Sequence, residues 1–491
     1  MTAQPVTKIH FSDYFRVDPV KIGALGAFNV SLINDLPLFI DPFLLFNSKK
    51  PQYQNLHRQI ITYLSFLRKK APYLKANPAL VAAWYTFPEF KQTWLGYSDT
   101  GNRGRGLGTE FATALRTNLN TIFSTFGKEK VTRGSHLEKL TLISDGVGKD
   151  KISDFTTNLI KPYLLDFTQK FALANLPKSL ISDFPVKKVS FNYRTETWET
   201  KSYRLPVFEG NFVVLTPKDM LTKDDTWINK TDFIADFGAI VESLPNDQLR
   251  AQLNNFLLKV LARDASTQEK RAAAANAIVR FPEVVEYYIL YKEERGDRAR
   301  SISEKKVAWS ERIFVSQVRD LSASLFQHTR FYELVGDTYE EAKARLGFLK
   351  DVIENKGGWR IFYVNGDPLT SEKDLHILYR LTWFATSSDV SREVDDGRGP
   401  ADFKISRGSQ DKTIVKFKLA SNSRLRQNLE TQAEKYKEAS DAHHALKAVL
   451  YFTETELERV TTILKDLGLL GSPDICLIDA RSDNKPSASK A

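Results

Sequence analysis

Residues that could cleave a phosphodiester bond occur close together in "GRGPADFKISRGSQDKTIVKFKLASNSRLRQNLETQAEKYKEA". Asp402 follows a Gly-Pro turn and could hold a divalent cation, because carboxylates are preferred ligands of Mg²⁺. Lys416 and Lys418 lie two residues apart in an alternating apolar run. A metal ion activates water and neutralises phosphate charge, while a lysine orients that water or stabilises the transition state. These residue types together indicate hydrolysis of a nucleic acid.

The elements around these residues must bring them together. The apolar patterns predict strands over 401–406 and 412–420, helices over 371–386 and 424–440, a short segment over 389–394, and then a strand, a helix and a last strand. Residues i and i+2 of a strand point to one face, so Lys416 and Lys418 are expected to face the pocket that Asp402 enters. Gln432 and Tyr436 lie one helical turn apart and could contact the scissile strand or order the water.

This order resembles the PD-(D/E)XK nuclease superfamily over roughly residues 360–480. The core of that superfamily is a helix, a three-stranded meander, a helix and a further strand (αβββαβ), with an Asp on one strand and a Glu-x-Lys on the next. "GPAD" stands where the superfamily has Pro-Asp, and "QAEKY" resembles the Q-x-x-x-Y element of the RecB-like branch. The resemblance implies a restriction-endonuclease-like fold for the C-terminal part of the chain.

The resemblance also implies roles for the site residues. Asp402 would hold Mg²⁺ or Mn²⁺, Lys418 would assist the attacking water, and Gln432 with Tyr436 would position the phosphate.

Many members of the superfamily carry a further acid upstream. Glu372 and Glu393 are both candidates for it, and we favour Glu393, because "REVDDGRGPAD" keeps it close to the Asp402 turn.

Lys416 departs from the superfamily pattern, in which Glu, Asp or Gln occupies this position as a metal ligand. "IVKFKLA" has a cation in that place, and an ammonium beside Lys418 repels a divalent cation. Glu430 and Glu434 do not substitute for the acid, because each lies two residues from Gln432 and about 200° around the helix. Lys416 is therefore expected to weaken or abolish cleavage, as an inactivating substitution would.

Each motif also has a simpler explanation. An Asp after Gly-Pro is commonly a turn former, two lysines on a strand are commonly a solvated face, and Gln and Tyr four apart are commonly helix surface. Residues 401–450 contain ten Lys or Arg and six Asp or Glu, which favours a surface that faces phosphate. Six basic residues are candidates for nucleic-acid contact: Arg398, Lys404, Arg407 and Arg424 around the site, and Arg103 and Arg105 in the Gly-rich "GNRGRGLGTEFATAL", which is otherwise a surface loop.

Two functions remain open for the C-terminal domain, and an independent activity of the N-terminal half is a third possibility. The first is a metal-dependent nuclease that acts on DNA rather than RNA, in bacterial anti-phage defence by analogy with stand-alone members of the superfamily that have long private N-terminal regions. The second is a non-catalytic nucleic-acid-binding or scaffold protein that keeps the nuclease fold. A homo-oligomer or a defence-system partner protein is compatible with either function.

Composition favours a folded, multidomain protein. The 491 residues are 42% hydrophobic and carry a net charge of +10, which permits a polyanionic partner. One cysteine, Cys476, cannot form an internal disulfide, and the first fifteen residues lack an apolar signal core. No apolar run is long enough for a membrane span. We therefore expect a cytoplasmic protein without membrane contact.

The chain divides into parts of mixed α/β character. We predict an α/β block of unknown fold and role over 1–240, a helical linker or clamp over 241–355, the nuclease-like domain over 356–481 and a disordered tail over 482–491. Two local patterns are also interpreted. "LPLFIDPFLLF" resembles a buried strand interrupted by Asp-Pro, and "KEERGDRARSISEKK" a solvated mixed-charge loop.

Overall fold

A computed structural model of the chain describes residues 8–74, 77–96, 106–122, 129–144, 146–260, 266–331, 336–364, 366–383, 389–392, 403–407, 411–430 and 444–485. These residues form a mixed α/β protein with several separate sheets, as the sequence predicts. In this part of the chain no helix combines the length and the apolar character needed to cross a bilayer.

The N-terminal block is helical around two small sheets. Its elements are α1 (Phe11–Phe15), α2 (Pro19–Leu25), β1 (Leu38–Ile40), α3 (Pro42–Phe46), α4 (Pro51–Lys70), α5 (Pro78–Tyr85), α6 (Thr109–Ile122), α7 (Lys139–Ile143), α8 (Lys149–Leu159), α9 (Lys161–Asn175), β2 (Ile181–Asn192), β3 (Thr197–Phe208), β4 (Asn211–Phe212), β5 (Leu221–Lys223), α10 (Lys230–Ala235) and α11 (Phe237–Glu242). Strands β1 and β5 pair antiparallel, while β2 and β3 form a long hairpin that β4 extends. The pairing of β1 with β5 joins two segments far apart in sequence.

The segment 36–46 is not one interrupted strand, so that interpretation was wrong. Asp41 ends β1 and caps α3: its Oδ1 accepts a hydrogen bond from the Phe43 amide at 2.9 Å. The proline after it takes the first helical position, where a missing N–H costs nothing. The second carboxylate oxygen of Asp41, Oδ2, accepts a hydrogen bond from the Trp227 amide at 2.8 Å. Asp41 therefore starts a helix and ties it to the end of the block.

The middle of the chain is a series of helices. They are α12 (Asp247–Val260), α13 (Thr267–Arg280), α14 (Glu283–Glu294), α15 (Gly296–Glu311), α16 (Val318–His328) and α17 (Thr338–Asn355), with a π-helical segment at Arg312–Gln317. The predicted loop at 292–306 was wrong, because this stretch lies in α14 and α15. Ala299, Ser303 and Val307 are buried and four residues apart, so they form one face of α15. These small residues make a narrow stripe that the surrounding charges obscure in the sequence.

The C-terminal part contains a five-stranded sheet. Its elements are β6 (Tyr363–Val364), β7 (Asp367–Pro368), α18 (Glu372–Thr382), β8 (Asp389–Arg392), β9 (Phe403–Arg407), β10 (Asp411–Leu419), α19 (Leu425–Glu430), β11 (His444–Tyr451), α20 (Glu454–Asp466) and β12 (Ile475–Asp479). The spatial order is β8-β9-β10-β11-β12. Strands β8, β9 and β10 form an antiparallel meander, and β10, β11 and β12 run parallel.

Alternation along β10 separates the two faces of this sheet. Val415, Phe417 and Leu419 belong to the large core, on the face against α17 and α18. The opposite face carries Lys416 and Lys418, and α19 and α20 pack beside them in a separate apolar cluster. Helix α17, which the sequence-based division places in the helical middle, contacts β9, β10, β11 and β12. The helices that cover this sheet thus include α17, which ends before residue 356, the predicted start of the nuclease-like domain.

A buried lysine in the N-terminal block makes a testable contribution to stability. Lys161 is 2% exposed, its Nζ donates to the Lys188 carbonyl at 3.3 Å, and it lies 4.8 Å from the centroid of the Phe90 ring. Burial, and secondarily the Lys188 charge, lowers the pKa of Lys161 to about 7. Because the unfolded chain keeps the ordinary, higher pKa, it binds more protons between these two values, and the free energy of unfolding rises with pH there.

We predict that Lys161→Met removes this dependence. Relative to the unsubstituted chain, the increase in unfolding free energy between pH 7 and pH 9 should shrink by roughly 2 kcal/mol, as measured by urea denaturation at both pH values. Lys170→Met, on the exposed side of the same helix, is the control and should leave the increase unchanged. Equal behaviour of the two variants would contradict the prediction.

Candidate active site on the C-terminal sheet

Lys416 and Lys418 of β10 are both buried, at 1% and 2% exposure. They lie two residues apart on one face of the strand, as the sequence predicts. Lysines are almost never fully buried without a partner, because removing an ammonium from water is costly. The interpretation of these two lysines as a solvated strand face is therefore wrong.

Glu372 supplies the negative charge next to Lys418. Its Oε2 accepts a hydrogen bond from Lys418 Nζ at 3.4 Å. Its Oε1 accepts from the Leu419 amide at 3.1 Å and from Asn422 Nδ2 at 2.7 Å. One carboxylate thus holds the last residues of β10 and the turn that follows.

The sequence positions Glu372 through a helix cap. Ser371 is the N-cap of α18, and its hydroxyl oxygen accepts from the Asp374 amide at 3.3 Å. The Ser-x-x-Asp spacing of Ser371 and Asp374 is the sequence pattern of such a cap. It fixes Glu372 as the first residue of the helix, where the helix dipole favours a negative charge.

Of the two candidate upstream acids, Glu372 is the one that the structure brings to Lys418. Glu393, which the sequence favoured, lies outside the described residues.

Lys447 is a third buried lysine on the same face, and sequence reasoning missed it. It pairs with Lys416 across the parallel strands β10 and β11, is 4% exposed, and its Nζ donates to the Leu429 carbonyl at 2.8 Å. The signal was available, since one lysine interrupts the apolar run "ALKAVLYF". Neighbouring strands are about 4.8 Å apart, so three buried lysine side chains start from one small part of the sheet.

Three of the residues proposed to contact nucleic acid are described. Lys404 on β9 is opposite Ile414 and so faces the same side as Lys416. Arg424 is exposed at the start of α19. Arg407 donates to Glu341 at 2.6 Å, so its charge is already paired with a fully buried carboxylate. The remaining proposed site residues lie outside the described part of the chain: Asp402, Glu393, Gln432, Tyr436, Arg398, Arg103 and Arg105.

The described residues of the site do not fit a divalent cation. No group of three or more His, Cys, Asp or Glu side chains in the described ranges is arranged to hold a metal ion. Glu372 already accepts three hydrogen bonds, one of them from a cation. The ammonium groups of Lys416 and Lys418 repel a divalent cation that would bind nearby.

The arrangement can nevertheless support phosphate chemistry. An ammonium whose position is fixed by a carboxylate is a suitable group to stabilise negative charge on a phosphate oxygen or to orient a water molecule. Lys418 has this arrangement, and it lies at the end of β10, where the chain turns toward Asn422. Access is restricted, because the lysine side chain is 3% and the Glu372 side chain 13% exposed.

We predict that Glu372→Ala destabilises this part of the chain by about 3–5 kcal/mol, the usual effect of leaving a buried charge without its partner. The measurement is the free energy of unfolding in urea. Adding Lys418→Met should recover most of the loss, because no buried charge then remains unpaired.

Glu430→Ala is the matched control, since Glu430 is exposed at the end of α19. It should change stability by less than about 0.5 kcal/mol. Equal losses for the two glutamates would show that Glu372 does not neutralise a buried charge.

Comparison with known families matches two parts of the chain. Residues 17–229 match the family model "Domain of unknown function (DUF8370)", and residues 338–454 match "Domain of unknown function (DUF8371)". No curated protein and no solved structure matches the chain. The second matched segment begins at the first residue of α17 and contains all the candidate site residues of the C-terminal sheet.

Proposed function

We propose that the C-terminal domain is a PD-(D/E)XK-like nuclease domain that acts on DNA, and that Lys416 impairs its cleavage in this chain. The observation that carries the proposal is the buried Lys418 held by Glu372 at the end of the central strand β10. A lysine buried beside a carboxylate is not a solvated surface charge, and its ammonium can stabilise negative charge on a phosphate oxygen.

The order of elements supports the fold that the proposal requires. Helix α18 is followed by the meander β8-β9-β10, then by α19 and the parallel strand β11. This is the order of helix, three-stranded meander, helix and strand in the superfamily core. Because fold alone does not establish activity, the argument for function depends on the lysines and Glu372.

Lys416 is the reason to expect impaired cleavage. Superfamily members carry an acid or Gln at this position of the strand. In this chain the position is 1% exposed and is aligned with Lys447 on β11. A buried cation here raises the local positive charge where a metal ligand is needed.

DNA is the proposed substrate, and the N-terminal block is the proposed sensor or recognition part. The chain carries a net charge of +10, and Lys404 and Arg424 are partly or fully exposed beside the site. Such residues bind phosphates in a salt-dependent way. A role in anti-phage defence rests on analogy with stand-alone members of the superfamily that have long N-terminal regions.

A non-catalytic DNA-binding function is the second candidate. It is favoured by the lack of a metal-ligating group among the described residues. Because Lys416, Lys418 and Lys447 are at most 4% exposed, contact with phosphate in this case would fall to exposed residues around them.

The test compares cleavage of supercoiled plasmid by the unsubstituted chain and by the Lys416→Glu and Lys416→Met variants, with Mg²⁺ or Mn²⁺. We predict that Lys416→Glu cleaves at least about 100-fold faster than the unsubstituted chain, because an acid then occupies the position of the superfamily's metal ligand. Lys416→Met controls for loss of the positive charge alone and should remain inactive.

Binding of a labelled duplex by the same three proteins, at about 50 mM and 200 mM salt, separates the two candidate functions. If Lys416→Glu does not cleave while all three bind DNA in a salt-dependent way, the domain is a binding module. If none of them cleaves or binds DNA, both candidates are wrong.

A further inference from the structure

A buried ion pair connects the N-terminal block to the helix that carries Glu372. Lys223 Nζ donates to Asp374 Oδ2 at 2.6 Å, and the two side chains are 10% and 4% exposed. Lys223 is the last residue of β5, in the first segment matched by a family model. Asp374 lies in the first turn of α18, in the second matched segment. The pair therefore joins the two segments that match family models directly.

Lys223 is held in place by strand β1 of the N-terminal block and by Trp309 of α15. Strand β5 pairs with β1, where Lys223 lies opposite Leu38. The Lys223 ammonium is 3.6 Å from the centroid of the Trp309 ring on α15, which is a favourable cation–π distance. The strand pairing fixes the backbone of Lys223 and the ring contact its ammonium, so the position of the ammonium depends on the N-terminal block and on α15.

Asp374 lies in the same first turn of α18 as Glu372, so the ion pair with Lys223 also affects where Glu372 lies. Its amide donates to Ser371 at the cap, and Glu372 lies two residues before it. Glu372 in turn accepts from Lys418 and from the Leu419 amide. Burial raises the pKa of the Asp374 carboxyl, while the Lys223 charge opposes that rise. The carboxylate is thus costly to bury and depends on its lysine.

We propose that Lys223 is a positioning residue of the candidate site: through Asp374 it sets the first turn of α18 and so places Glu372 against Lys418 and β10. The N-terminal block thereby controls the geometry of the site. The regulatory meaning of this contact rests on the proposed nuclease-type function, whereas the positioning itself does not.

A second ion pair provides a comparison. Lys218 donates to Glu311 at 3.0 Å and so also connects the N-terminal block to α15. Its side chains are more exposed, at 28% and 32%, and both of its residues lie outside α18. A general loosening of the block against α15 would follow from loss of this pair too. Loss of Glu372 placement should follow only from loss of the Lys223 pair.

The test is amide hydrogen exchange at single-residue resolution in the full-length chain. The Leu419 amide donates to Glu372, whereas the next amide, Ala420, donates to the Leu450 carbonyl at 2.8 Å within the sheet. In Lys223→Met and in Asp374→Asn, exchange at Leu419 should accelerate at least about tenfold, with Ala420 unchanged. The double variant should show a smaller acceleration, because no unpaired buried charge remains.

Lys218→Met is the matched control and should leave Leu419 exchange as it is in the unsubstituted chain. Asp374→Asn keeps the shape of the side chain, so it tests the pair even if Lys223→Met fails to fold. Unchanged exchange at Leu419 in the variants would overturn the proposal. Equal acceleration at Leu419 and Ala420 would also overturn it, since the pair would then hold the whole sheet and not the first turn of α18.

Duplex binding by the same proteins separates this inference from the proposed function. Weaker DNA binding in Lys223→Met, together with faster exchange at Leu419, supports both. Faster exchange at Leu419 without DNA binding by any protein, the unsubstituted chain included, keeps the positioning role and rejects the proposed function.

Discussion

The burial of positive charge on one face of the C-terminal sheet is the constraint on which the site depends. Three lysines of β10 and β11 are almost completely removed from water, and such charges persist only where the fold supplies partners. Glu372 meets this need for Lys418, and the Leu429 carbonyl does so for Lys447. The helix that carries Glu372 must therefore begin at the end of β10, and this requirement fixes how α18 lies against the sheet.

The first turn of α18 also contacts the N-terminal block. Its first turn holds two carboxylates with different partners: Glu372 faces the site, and Asp374 faces Lys223. The dipole of α18 favours both, because negative charge is stabilised at a helix N-terminus. Two parts of the chain that match separate families thus meet at one helical turn. Under the proposed positioning role, a movement of β5 would shift Lys223 and Asp374, and with them the helical turn that carries Glu372.

Sequence patterns predicted the local elements of this domain well and its long-range contacts poorly. The Ser371 cap and the alternation along β10 are short-range features, so they can be recognised within about ten residues of sequence. The contact between Lys223 and Asp374 spans 151 residues, and no local pattern indicates it.

Small buried residues caused the clearest error. In α15 the buried face consists of small residues, among them Ala, Ser and Val, between many charges, so a helix was interpreted as a loop. The preference for Glu393 over Glu372 used closeness in sequence to Asp402, and Glu393 lies outside the described residues. In the structure, Glu372 reaches Lys418 across 46 residues of chain.

The surroundings of Lys416 show why this one position matters. Lys418 follows two residues later on the same face, and Lys447 is aligned with Lys416 on the neighbouring strand. An acidic side chain at 416 would share its face of the sheet with Lys418 and Lys447, and nearby positive charge favours the ionised form of a carboxylate. A lysine there adds a third like charge to the same buried surface. Position 416 is therefore where this chain departs from the superfamily pattern on which the proposed function rests.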